Sequence, residues 1–326
     1  MTTASTVMAP LWSRRQVEPI WLVLIAVLIA ALAITTLSGE SMLSSTSLRT
    51  IAIGSTALGF VAVGQTLAMV VGSFDLSVAW TVTLGAVVTA AVMDGQAGMA
   101  VPAVVAALAA GGVVGAVNGL VIARLGVNPL IATLGTALLL NGALNALVEG
   151  RVGSVSEGFR EFGYGSLGAV PLSFVVLVIV AVAAHLWLRR SRTGHHVYAI
   201  GGSQDIARAS GIRVERVIVA AHVVCSILAA LAGVYLASRL GGPDTGVGTR
   251  GGYDLESIAV VVLGGTALGG GRGGVPGTVA AVVIFAVLEV VLNVLGVDPF
   301  AKTIVEGLVI IAAVASYQLR RTEPAR

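Results

Sequence analysis

Six polar residues interrupt otherwise apolar runs: Gln65, Asn118, Asn141, Asn145, Glu289 and Asn293. A polar side chain in hydrocarbon is costly, so such residues face a bundle interior or a solute pathway. These six are the candidates to line a route for a polar solute. Glu289 and Asn293 stand one helical turn apart on one face, where they can form an interhelical hydrogen bond or share a pathway. Asp75, in GSFDLSV, precedes another apolar run and is placed to cap a helix. Other chemistry is missing. A phosphate-cradling loop needs G-x-x-x-x-G-K-[ST]. Lys302, the sole lysine, lies in FAKTIV with no glycine before it, so this chain has no ATPase site of that kind. The histidines His185, His195, His196 and His222 lack partners at metal-ligand spacing. No Ser-His-Asp arrangement stands out along the chain. Cys225, the only cysteine, excludes an intrachain disulfide and reads as a small packing residue.

The elements that must position these residues are membrane helices. The chain has 326 residues, 56% hydrophobic and 11% charged. Soluble domains carry about 25% charged residues. The apolar residues come in blocks of roughly 18 to 24, the length that crosses a ~30 Å hydrocarbon core. The expected fold is an all-α membrane protein with about ten transmembrane helices. Candidate spans are Ile20–Leu37, Ile51–Val71, Leu76–Met93, Val101–Ala123, Leu130–Val148, Pro171–Leu188, Val217–Ala237, Ile258–Leu268, Val275–Leu295 and Thr303–Tyr317. The first is too long for the apolar core of a usual signal peptide, and no A-x-A site follows it. The eighth is short and runs into Gly264, Gly265, Gly269, Gly270 and Gly271, so it reads as broken or re-entrant.

Basic residues set the orientation. With the N-terminus in the cytoplasm, thirteen of the nineteen Lys and Arg residues fall on the cytoplasmic side. Both termini are therefore expected inside, as tails 1–19 and 319–326, around one polytopic transmembrane domain over 20–318. The formal net charge of +3 gives no support to nucleic-acid binding. The segment 149–170 is expected outside and the strongly basic 189–216 in the cytoplasm. Within the latter, SQDIARAS fits a short helix between Gly202 and Gly211. Gly111, Gly115 and Gly119 repeat every four residues and predict close helix packing on one face.

Four segments carry a family resemblance. VGQTLAMVVGSFDLSVAWTVTLGAVVTA resembles the G-Q-T-L-x-x-x-x-G-G-x-D-L-S-V-G segment of sugar ABC permeases of the ribose, xylose and arabinose type. NGLVIARLGVNPLIATLGT, SRTGHHVYAIGGSQDIARASGI and YDLESIAVVVLGGTALGGGRGGVPGT resemble three further segments of that family, in the same order. Four positions depart from its pattern. Ser73 stands for the second glycine of a pair, Ala79 for a glycine, Asn128 for a common proline and Glu289 for a usual asparagine. The resemblance implies an importer subunit in the bacterial inner membrane, paired with a second permease chain, usually as a homodimer. A cytoplasmic ATPase, which holds ATP and Mg, would supply energy. An extracytoplasmic binding protein would deliver the sugar. The resemblance also makes 189–216 the ATPase docking loop, with Gly194, Tyr198, Gly201, Gly202, Asp205, Ala207, Ser210 and Gly211 as its candidate coupling residues. Gly201 and Gly202 are expected to set a sharp turn into the short helix, and Ala207 to let a partner surface approach closely. A permease for nucleosides or branched-chain amino acids remains open. An ion-coupled transporter would need titratable groups at mid-membrane, where Glu289 is the one good candidate. A membrane enzyme lacks a catalytic constellation.

Overall fold

Apolar runs become helices here because a helix satisfies every backbone polar group internally, which hydrocarbon requires. The structure is a computed structural model that describes residues 19–37, 39, 41–148, 153–242, 245–298, 300–305, 307–308 and 311. Its helices are α1 (Pro19–Leu37), α2 (Ser45–Val70), α3 (Val78–Met93), α4 (Ala100–Leu125), α5 (Pro129–Leu147), α6 (Glu161–Tyr164) and α7 (Leu172–Arg190). There follow α8 (Arg192–Gly202), α9 (Gln204–Ala209), α10 (Val214–Leu240), α11 (Val247–Arg250), α12 (Tyr253–Leu263) and α13 (Val275–Val294). The one sheet among the described residues pairs β1 (Ser166–Leu167) with β2 (Val170–Pro171). The chain is an all-α, multi-pass membrane protein. Seven described helices, α1, α2, α4, α5, α7, α10 and α13, are long and apolar enough to cross a membrane.

Three expected spans look different. The Leu76–Met93 span forms the 16-residue α3. The Ile258–Leu268 span starts earlier, as the 11-residue α12, and then breaks into turns at Gly264, as its glycines predicted. Most of Thr303–Tyr317, the tail 319–326 and residues 1–18 of the N-terminal tail lie outside the described residues. Local caps fix several boundaries. Ser44 Oγ accepts from Ser47 N–H at 3.1 Å at the start of α2. Asn128 Oδ1 accepts from Leu130 N–H at 2.9 Å at the start of α5. The Asn128 departure from proline therefore supplies a cap, satisfying a free helix N–H.

Helix α10 is the hub, packed against α2, α3 and α4. The glycine stripe on α4 makes that packing possible. A Cβ on Gly111 would lie 2.6 Å from Ser226 O, one on Gly115 would collide with His222 O, and one on Gly119 would lie 2.6 Å from Val219 Cα. The close backbone approach read from the spacing is therefore the observed one. Outward faces carry exposed apolar side chains such as Leu138, Leu139 and Ile179, as a lipid-facing surface does.

Candidate functional site

The expected coupling residues fall on α8, α9 and the turn after them. The eleven-residue α8 stands where a docking loop is expected, three glycines diluting its helix propensity. It forms nonetheless: Ser191 Oγ accepts from Gly194 N–H at 2.9 Å as its N-cap, and Val197 and Ile200 bury against the main core. Gly194 is itself buried, and a Cβ there would collide with Leu188 O. Helix α9 occupies the predicted SQDIARAS segment, capped by Ser203. Asp205 pairs with Arg208 at 3.2 Å in the open. Ser210 Oγ donates to Ile206 O at 2.9 Å, and Gly211 turns the chain with φ +79°.

Three backbones meet below α8. A Cβ on Gly201 would collide with Val70 O at the end of α2 and with Gly271 N of the glycine-rich turn. Gly271 N–H donates to Val70 O at 2.9 Å. Tyr198 Oη donates to Gly273 O at 2.9 Å. Burial pushes the Tyr198 phenol up from its ordinary pKa, against the pull of the Arg189 guanidinium, so it stays a donor at neutral pH. Thus α8 is bolted to α2 and to the α12–α13 turn. Two details differ from expectation. Gly202 ends α8 with nothing within 4 Å of a Cβ, so of the two glycines only Gly201 is barred from carrying a side chain. Ala207 is 2% exposed and packs into the core cluster with Val214 and Ile218, whereas Ile206 beside it is 69% exposed. The outward apolar knob is Ile206, and Ala207 forms part of the wall of a groove of ≈ 310 Å³ that Tyr198, Gly202, Ser203 and Ile206 also line.

The polar span residues separate into two groups. Gln65 and Asn118 are sealed inside the bundle at 0% exposure. Gln65 Oε1 accepts from Cys225 Sγ at 3.5 Å, while Gln65 Nε2 has no partner among the described residues. Asn118 Nδ2 donates to Ser77 Oγ at 2.9 Å and meets Asp75 Oδ1 and Oδ2 at 3.3 and 3.2 Å. Thr136 Oγ1 donates to Asn118 Oδ1 at 2.6 Å. The second group reaches the surface of the single chain. Asn145, on the outer face of α5, donates from Nδ2 to Asn141 O at 2.9 Å and to Asn141 Oδ1 at 2.5 Å. Glu289 and Asn293 are exposed on α13. Glu289 lies beside α2, 3.5 Å from where a Cβ on Gly54 would stand, and Lys302 Nζ donates to Asn293 Oδ1 at 2.5 Å.

Asp75 does more than cap a helix. Its Oδ1 accepts from Ser77 N–H at 2.8 Å and Ser77 Oγ at 2.6 Å, which turns the chain into α3. Ser226 Oγ of α10 donates to Asp75 Oδ2 at 3.3 Å. His222 Nδ1 approaches the same oxygen at 3.5 Å without forming a hydrogen bond, and His222 Nε2 shares one with Ser73 Oγ at 2.8 Å. A Ser-His-Asp constellation therefore exists in space, assembled from residues 149 positions apart. Sequence order gave no signal of it. All three side chains are buried, with exposures of 3% for Ser73 and 0% for the other two, so no substrate reaches the hydroxyl and the set is structural.

Comparison with known proteins places the chain. It is 36% identical over 312 residues to the ribose import permease protein of Escherichia coli strain K12, covering 92% of this chain and 95% of that one. It is 32% identical over 314 residues to the galactose/methyl galactoside import permease protein of Haemophilus influenzae, covering 90% and 93%. It is 35% identical over 257 residues to the L-arabinose transport system permease protein of Escherichia coli strain K12, covering 78% and 77%. No solved structure matches it. The model of one family, described as branched-chain amino acid transport system / permease component, matches residues 47–314, and the chain belongs to that family.

Proposed function

We propose that this chain is the permease subunit of an ATP-binding-cassette importer for a monosaccharide or related polar solute. The observation that carries the reading is the likeness to ribose and galactose/methyl galactoside import permeases across at least 90% of each chain. That length of match favours a sugar over the branched-chain amino acid in the family's description. The chain forms the membrane pathway and leaves ATP hydrolysis, with ATP and Mg, to a separate cytoplasmic subunit. An extracytoplasmic binding protein delivers the solute, and two copies of the permease form the path. Residues 20–318 make one permease domain of about ten spans in the inner membrane, with α3, the broken α12 segment and the last apolar run completing the count and both tails in the cytoplasm.

In this reading the basic end, with α8 and α9, faces the ATPase. Ile206 and the groove beside it offer an apolar knob and socket to the partner. The Tyr198–Gly273 bond and the Gly201 contact pass displacement of α8 to α2 and to the turn before α13. Glu289 and Asn293 ride on α13, so the same displacement moves them. A carboxylate facing lipid is costly, which favours placing Glu289 toward the path between two copies. Glu289→Leu is then expected to impair transport more than Glu289→Gln.

A tagged chain purified from its native membrane in mild detergent should bring down an ATPase that carries a phosphate-binding loop, and the chain stripped of partners should hydrolyse no ATP. Hydrolysis by the stripped chain would refute the reading. Single cysteines at positions 158 and 192, with Cys225 replaced by Ala, should label from opposite sides of the membrane. Labelling of both from one side would overturn the orientation.

A further inference from the structure

We propose that Ser73 and His222 form a positioning link that carries displacement of α8 into α10. The proposal rests on the importer reading above, in which α8 receives force from the ATPase. Its first element is the junction at Gly72. A Cβ on Gly270 would lie 2.7 Å from Gly72 Cα and 3.0 Å from Gly201 Cα, so α8, the glycine-rich turn and the α2–α3 connection touch through bare backbone. Nothing soft lies between them to absorb a shift.

The next residue along the chain is Ser73. Its N–H donates to Ala68 O at 2.9 Å, which ties it to the end of α2. Its hydroxyl shares the 2.8 Å hydrogen bond with His222 Nε2. His222 stands on α10, one turn before Ser226, which holds Asp75 Oδ2 from the same helix face. The α2–α3 connection therefore grips α10 at two points, Ser73 to His222 and Asp75 to Ser226. The backbone oxygen of His222 lies against Gly115 of α4, so the turn of α10 that carries the imidazole is seated in the α4–α10 contact. Beside the direct packing of α8 on α10, this path to the hub helix is one residue long: Gly72 is pushed and Ser73 pulls.

Ser73 is also where the sequence departs from the glycine of the family segment it resembles. A glycine there could not reach His222. Its full burial leaves it no chemistry with solutes and assigns it to mechanics.

The test is the ratio of sugar taken up to ATP hydrolysed in vesicles reconstituted with the ATPase and the binding protein. A side chain that only holds the fold would change yield and thermal stability and leave that ratio alone. Ser73→Ala and His222→Leu are each expected to leave insertion and ATPase docking intact and to lower the ratio roughly two- to thirty-fold, the range for a mutation along a coupling route. The double variant should fall no further than the worse single one, because the two residues act through one bond. A wild-type ratio in either single variant, or a double effect equal to the product of the two, would overturn the link. Should His222→Leu fail to reach the membrane, Ser73→Ala decides alone by the same ratio. Should the wild-type vesicles show no ATP-driven uptake, the importer reading fails and the link is judged apart from it. The measure is then thermal unfolding of the four proteins in detergent. Non-additive midpoints support a direct Ser73–His222 interaction, and additive ones refute it.

Discussion

The 18-residue apolar stretches of α2 and α5 have equal mean hydropathy, yet the protein interior covers 83% of that of α2 and only 17% of that of α5. Hydropathy reports that a segment avoids water. It does not report whether lipid or protein surrounds it, because lipid tails are as apolar as a leucine-packed core. What separates the two helices is side-chain size and contact. The α2 sequence holds Gly54, Gly59, Gly64, Ser55, Thr56 and Thr66, and its Gly64 lies 2.9 Å, at a notional Cβ, from Cys225 Cα of α10. The α5 sequence has the run Leu138–Leu140, and its Gly135 and Gly142 have nothing within 4 Å. A small residue marks a central helix only where another backbone meets it.

The contrast can be broken by matched substitutions. The largest effect is expected where backbones touch. Gly115→Leu on α4 should cost about 3 kcal/mol or more and deplete folded protein, since a side chain there overlaps His222 O. Gly142→Leu on α5 should stay within about 0.5 kcal/mol. Thermal unfolding in detergent checks both, and equal losses would erase the distinction between hub and periphery. Next come the adjacent glycines of α8. Gly201→Val should cost about 2 kcal/mol and detach α8 from α2, whereas Gly202→Val should be tolerated by the fold. Protease accessibility of the α8 segment separates them, and equal protection in both would contradict the junction described here.

A smaller effect belongs to Tyr198→Phe, which removes the bond to Gly273 O at a cost of about 1 kcal/mol. The sign of its pH dependence follows from the raised phenol pKa. The contribution is complete below the ordinary tyrosine value of about 10 and fades only as pH rises through the higher folded value. The stability gap between wild type and Tyr198→Phe should therefore be flat from pH 6 to about 9; a gap that closes in that window would contradict it. The smallest effect is Asp205→Asn, which removes an exposed pair with Arg208 and should change stability by about 0.5 kcal/mol or less.

Much of this architecture was legible in the sequence. The long helices announce themselves because hydrocarbon forces apolar runs of fixed length, so α1, α4, α5 and α13 begin and end within a few residues of expectation. The stripe Gly111, Gly115, Gly119 gave its packing role through spacing alone. The break after α12 was legible because five glycines cannot continue a helix cheaply. Two things were not. Helix α8 hid behind its glycines, since burial of Val197 and Ile200, a tertiary effect, is what stabilises it. The network of Ser73, Asp75, Asn118 and His222 hid because its members come from three separate elements, the α2–α3 connection, α4 and α10, and no local period links them. The candidate pathway residues are visible in the sequence as polar interruptions, but only the fold separates the sealed Gln65 and Asn118 from the exposed Glu289 and Asn293.

The central claim is that this chain moves a sugar across a membrane at the expense of ATP hydrolysed by another subunit. The direct measurement is uptake of radiolabelled ribose, galactose and arabinose into vesicles reconstituted with the chain, its copurifying ATPase and the binding protein. The account predicts accumulation of at least one sugar that needs internal or external ATP on the ATPase side, needs the binding protein, and stops when the ATPase is inactivated. Uptake that persists without ATP and follows an ion gradient instead would contradict it.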